Sequence, residues 1–286
     1  MPSKIVDIHP HIVSQDTVRY PVTPLGGKRS EWSKERSVTL EELVDAMDEA
    51  GVDKAAIVHS STTYGFNNDY VVDAVAAHPK RFTGVFSVNV TQPDAAERMR
   101  YWVSKGMTGM RIFARGSTIK EAWLAIDDPV TFPAWQCASE LGISVATNVH
   151  GNGEGLQQLK ATLKRYPAVR LVIDHLGRPP VEDGPPYNAA KDYFTLADFP
   201  NCYLKLTPSA LKSTVKGKAT TDTLIPKLVS VFGADRIAWG SNYPASAGTM
   251  SEIVASSAKA LRAVSDTDRS FIFAKTAQQL YPVLQD

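Results

Sequence analysis

The 286-residue chain predicts an α/β fold: a (β/α)8 barrel built from residues 1–286 as a single domain. Three observations carry this prediction. Short apolar runs alternate with helix-like segments along the whole sequence, and there are eight such units. The runs lack a polar face, as expected for strands covered on both sides. No glycine-rich phosphate loop follows the first run, whereas an open doubly wound sheet would more often carry one. Strict strand–helix alternation makes the strands parallel, and eight units favour closure over an open sheet.

Each element has a local reason. Residues 5–8 are a buried strand, and Pro10, which lacks a backbone donor, ends its pairing. The polar connection 12–38 carries Arg19, Tyr20, Lys28, Arg29 and Trp32. A segment this long in a compact domain either covers a site or is a mobile surface loop. Thr39 (or Ser37) caps the first clear helix, with Glu41 and Glu42 in its first turn. Leu40, Leu43, Val44 and Met47 share one face, and Gly51 ends it. Strand 54–58 leads to His59, and Asn67 or Asn68 opens a helix that stops at His78-Pro79. The pattern then repeats. Strands fall at 82–88, 109–113, 143–149, 169–173, 202–206 and 236–239. Helices fall at 93–105, 130–141, 155–166, 187–198, 220–232, 250–264 and 271–281.

Composition excludes several classes. Hydrophobic residues make up 43% and charged residues 21%, an ordinary globular balance. A net charge of +1 supplies no global attraction to nucleic acid or an anionic membrane. Cys137 and Cys202 lie far apart, which fits neither a disulfide framework nor a structural zinc site. The N-terminal Met-Pro-Ser-Lys runs straight into a strand with no leader pattern, and no stretch is long and apolar enough to span a membrane. The expectation is a cytoplasmic enzyme that binds a small molecule; a homo-oligomer stays open.

In such a barrel the reactive groups sit at the C-terminal ends of the strands. His9 and His11, two positions apart, can aim both rings at one point. Later strand ends offer His59, Arg111 (with Arg115), Asn148 and His150, Asp174 and His175 with Arg178, Lys205, then Ser241, Asn242 and Tyr243. Five of the six histidines collect at these ends, and a site explains that better than chance. Asp174 precedes His175 directly, so alternation aims it to the opposite side, as a structural partner.

Three stretches then resemble a known family: His9-x-His11, Val172-Ile173-Asp174-His175-Leu176-Gly177-Arg178-Pro179 and Trp239-Gly240-Ser241-Asn242-Tyr243-Pro244. They are similar to the amidohydrolase superfamily, and within it to the amidohydrolase-2 group that includes 2-pyrone-4,6-dicarboxylate lactonases and sugar lactonases. The closing segment from Phe273 to Tyr281 is similar as well. The resemblance implies a distorted (β/α)8 (TIM) barrel with its site at the top. It implies His9, His11, His150 and His175 as ligands of a metal where one is bound, with Asn148 a competing match for His150. It also implies that Arg178 grips a substrate carboxylate.

The sequence departs from the family pattern at Asn242, where an Asp is usual. An amide cannot take a proton from water or offset metal charge near neutral pH; it only donates and accepts hydrogen bonds. Arg111 stands where a fourth-strand ligand would be needed, so a binuclear site is not expected. The cofactor expectation is therefore none or one divalent metal, Zn or Mn. The functional expectation is a hydrolase that opens a carboxylate-bearing lactone or related cyclic ester. His9, His11, His150, His175 and Asn242 would do the chemistry, and Arg111, Arg178, Lys205, His59 and Tyr243 would bind substrate. Two alternatives stand beside it: a metal-dependent non-oxidative decarboxylase or hydratase of an acid from aromatic catabolism, and a catalytically weak binding protein on the same fold.

Overall fold

The computed structural model describes residues 4–115, 118–119 and 123–285; Met1 to Ser3, where a leader pattern would begin, lie outside them. Eight parallel strands pair in chain order: β1 (Val6–Asp7), β2 (Lys54–Val58), β3 (Phe82–Phe86), β4 (Met107–Ile112), β5 (Ser144–Thr147), β6 (Leu171–Ile173), β7 (Cys202–Leu206) and β8 (Ile237–Trp239). β8 returns to β1 through the Ile8 N–H, which donates to the Trp239 carbonyl at 3.3 Å. A side chain reinforces this seam, because Asp7 Oδ1 accepts the Ser241 N–H at 2.8 Å. The close approach of the two strands requires glycine at 240, since a Cβ there would lie 2.7 Å from the Cβ of His9.

Alternation along the strands builds two cores. Val6, Ile8, Ala56, Val58, Val85, Ala146, Val172 and Ala238 face inward. Ala274, Ala277, Leu280, Tyr281 and Leu284 from the C-terminal segment pack against them. Tyr281 reaches β4 because Gly109 has no side chain; a Cβ there would come within 2.6 Å of its ring. Outward residues such as Ala55, Ile57, Met110, Val145, Leu171, Ile173, Leu204 and Leu206 pack on the surrounding helices. Those helices carry the expected signals. Helix Leu40–Ala50 has a reciprocal capping box between Thr39 and Glu42 and ends on Gly51 in the left-handed conformation.

Some elements differ from expectation. The helix expected at 187–198 is three short turns, Asn188–Ala190, Lys191–Phe194 and Thr195–Asp198. Helices Glu31–Glu35, Ser61–Tyr64 and Pro208–Thr214 are additional; each is too short to show a 3.6-residue period. Among the described residues no helix is long and apolar enough to cross a membrane.

Candidate active site

The inward parity of three strands places charge inside the barrel, above the apolar layer. Arg111 on β4 lies between the outward Met110 and Ile112, and Lys205 on β7 lies between the outward Leu204 and Leu206. Asp174 continues the parity of Val172 past the end of β6. The three meet. Lys205 Nζ is 2.8 Å from Asp174 Oδ1, and Arg111 Nε donates to Asp174 Oδ2 at 2.7 Å, with all three side chains buried. Burial favours the neutral form of Asp174, but Lys205 and Arg111 overcome it and hold the carboxyl well below the usual carboxylate range.

This overturns two sequence-based expectations. Asp174 is not turned away from the site; it lines the cavity. His175 enters the same cavity because the chain leaves the strand at Ile173 and turns through left-handed conformations at His175 (φ 54°), Leu176 (φ 59°) and Arg178 (φ 53°). Strand alternation therefore does not apply between Asp174 and His175. Lys205 does not stand at the barrel mouth. It is fully buried beneath the cavity, held by Asp174.

A cavity of about 580 Å³ opens above this ionic layer, and His9, His11, Arg111, Asn148, His150, Asp174, His175, Arg178 and Asn242 line it. The His9 ring lies 4.9 Å from that of His11 and 5.0 Å from that of His175. Arg115 also lines the cavity, and its Nη1 donates to His150 Nδ1 at 3.1 Å. Arg178 has no ion-pair partner among the described residues and faces the opening.

Other expected residues stand elsewhere. His59 does not line the cavity; its Nε2 donates to the Gly65 carbonyl at 2.8 Å. Tyr243 packs against the outer core instead of lining the site. Asn148 lines the cavity but its amide is engaged with backbone: Oδ1 accepts from Ala114 N–H at 3.1 Å, and Nδ2 donates to the Arg115 carbonyl. Sequence reasoning did not single out Ser209 or Thr207. The question left open for segment 12–38 is answered by Trp32, whose ring stacks on His11 at 5.1 Å and forms part of the cavity wall.

The ring protons follow from the partners. His11 Nδ1 lies 2.7 Å from the Val58 carbonyl, which only accepts, so Nδ1 carries the proton and Nε2 keeps its lone pair. His150 Nδ1 faces a guanidinium, which only donates, so its Nε2 carries the proton. Burial pushes all four rings toward the neutral form, and nearby cations add to this. His11 falls to about 3, with Arg111 the main charge. His150 falls to about 4, with Arg115 and Arg178 beside it. His175 also falls to about 4, against the opposing pull of Asp174. His9 lies well below its ordinary value, through burial first and then the Lys205 charge. At neutral pH the site therefore presents uncharged imidazoles among fixed guanidinium groups.

His9, Asp174 and His175 place one donor atom each within 4.8 Å of one another, a possible site for a divalent ion. The expected set of four histidines is not the one that comes together; His11 and His150 lie outside this group. Both ring nitrogens of His9 are buried with no hydrogen-bond partner, an unmet demand that an ion could satisfy. In spacing and donor type the group fits a divalent metal.

A family model described as Amidohydrolase matches residues 6–283. The chain belongs to the amidohydrolase family. Among curated relatives, the L-fucono-1,5-lactonase of Burkholderia ambifaria is 32% identical over 130 residues. That match spans 42% of this chain and only 41% of the relative. Solved amidohydrolase-fold structures match along nearly their full lengths. One, described as a 2-pyrone-4,6-dicarboxylic acid hydrolase from Pseudomonas putida, is 17% identical with a TM-score of 0.76, covering 100% of each chain. Another, an amidohydrolase from Burkholderia multivorans with bound zinc, is 19% identical with a TM-score of 0.72, covering 98% of this chain and 99% of its own. At these identities the likeness shows the shared barrel.

Proposed function

We propose that this chain is a single-domain hydrolase that opens a lactone bearing a carboxylate. The observation that carries the reading is the pairing of neutral imidazoles with three guanidinium groups around one cavity. The lactonase among its relatives supports the choice of a cyclic ester.

An anionic substrate is drawn to Arg111, Arg115 and Arg178, and Arg178, free of acidic partners, makes the bidentate contact to its carboxylate. Trp32 offers a flat face to the ring. The lactone carbonyl sits among the histidines, where the His150 Nε2–H and the His175 ring can donate to its oxygen as negative charge develops. Water attacks the carbonyl carbon, and His11 Nε2 takes its proton. The carbon–oxygen bond of the ring breaks, the leaving oxygen takes back the proton held on His11 Nε2, and the new carboxylic acid ionises to release one proton. His11 is a feeble base in the free site. Burial is the main cause and the Arg111 charge adds to it; a bound carboxylate offsets that second part, so substrate binding raises its basicity. A divalent ion held by His9, Asp174 and His175 would supply Lewis-acid polarisation of a carbonyl, with His175 then a ligand and no longer a donor.

Steady-state kinetics of Arg178→Ala test the substrate contact. Losing a charge-assisted pair of about 1.5–3 kcal/mol should raise KM for a carboxylate-bearing lactone by about ten- to a hundredfold, with kcat changed little. A neutral lactone should be nearly unaffected. An equal loss on both substrates would remove Arg178 from carboxylate recognition.

A further inference from the structure

Asn242 is joined to His175 by two hydroxyls. Asn242 Nδ2 donates to Ser209 Oγ at 3.3 Å. Ser209 Oγ lies 3.1 Å from Thr207 Oγ1, which lies 2.8 Å from His175 Nδ1. Thr207 Oγ1 also accepts the Ala210 N–H at 3.2 Å, as the cap of helix Pro208–Thr214. Thr207 is 1% exposed, so its hydroxyl must use these partners instead of bulk water.

The direction of this chain follows from proton inventory. A hydroxyl has one proton to give, and an amide N–H only donates. With the Asn242 N–H pointing at it, Ser209 keeps its own proton to give, and Thr207 is its one other hydrogen-bond partner among the described residues, so the proton is assigned to that bond. Thr207 then directs its proton to His175 Nδ1. A ring nitrogen that accepts is bare, so the other nitrogen carries the ring proton.

We infer that Asn242, acting through Ser209 and Thr207, holds His175 as its Nε2–H tautomer, a hydrogen-bond donor to a substrate oxygen in place of a metal-ligating lone pair. A carboxylate at position 242 would reverse every bond. It only accepts, so Ser209 would donate to it, Thr207 to Ser209, and the His175 Nδ1–H to Thr207. The Nε2 lone pair would then be free to join His9 and Asp174 on an ion. Position 242 thus sets whether His175 donates or ligates, and Ser209 and Thr207 are positioning residues. The consequence for catalysis rests on the proposed hydrolysis; the tautomer does not, and is measured without substrate.

The test is nitrogen NMR of 15N-histidine protein at about pH 7.5, above the ordinary histidine range, without metal, with His175 assigned by difference from His175→Gln. Wild type should show His175 protonated at Nε2. Asn242→Asp should move the proton to Nδ1; position 242 is left-handed (φ 52°), which Asp tolerates as Asn does. Zinc titration gives a second readout. Asn242→Asp should tighten binding by about 10–100-fold, and adding Ser209→Ala should remove most of that gain. His175 protonated at Nδ1 in wild type would overturn the inference. So would a zinc gain that survives Ser209→Ala, since the carboxylate would then act without the relay.

Discussion

Asp174→Asn is expected to destabilise the folded barrel by about 3–5 kcal/mol, the cost of leaving buried charge without its partner. Asp174 is the carboxylate shared by Lys205 and Arg111, and both cations are nearly or wholly shielded from water. An amide can accept a hydrogen bond from one of them but offsets neither charge. Urea unfolding reads the loss directly. Asp174→Asn combined with Lys205→Met removes one cation with the anion and should recover part of it, because the remaining imbalance is smaller. A loss below about 1 kcal/mol, the range of solvated pairs, would mean that water reaches this layer. Hydrolysis should fail in the same variant even where it folds, because Arg111 loses the partner that fixes its guanidinium at the cavity floor.

Stability should fall steeply as pH drops from about 6.5 to about 4. His11 has a folded-state value lowered to about 3 and His59, His150 and His175 to about 4, by burial first, and His9 is lowered in the same direction. Above pH 6.5 these rings are neutral in both states and cost nothing. As pH falls through the ordinary histidine value, the unfolded chain takes up protons that the folded chain refuses, so unfolding is favoured. The effect stops growing once the folded rings titrate. Asp7 works in the opposite sense. Burial raises it to about 6, so below that value the folded state holds a proton the unfolded state has released. The net uptake on unfolding at pH 5 is about four protons, about five from the histidines less about one released by Asp7. Calorimetry in buffers of different ionisation heat measures it. Uptake near zero would mean that the rings are solvated or paired differently in solution.

The barrel was legible because βα alternation and apolar strands are local signals, and the histidine-rich strand ends followed from them. The orientation of single side chains was not. Alternation counted from His175 turns Asp174 away from the site, whereas β6 ends at Ile173 and the chain adopts positive φ from His175 onward. Counting from Val172, two positions earlier, would have turned it inward. Lys205 has the right parity but sits one layer too deep to reach the mouth, a distance that parity cannot report. Trp32 joins the site from a segment with no periodicity of its own. Thr207 and Ser209 belong to a short helix whose Thr-Pro start was a cap signal. Their role depends on partners far apart in the chain.

The central claim is that the cavity binds a carboxylate-bearing lactone and hydrolyses it. Wild-type protein mixed with 2-pyrone-4,6-dicarboxylate, a neutral aldonolactone and an ortho-hydroxybenzoate, with proton release and carbon dioxide followed together, tests it most directly. Ring opening of the dicarboxylate, with protons released and markedly slower turnover of the neutral lactone, is the predicted result. Carbon dioxide release from the hydroxybenzoate with no lactone opened would contradict it.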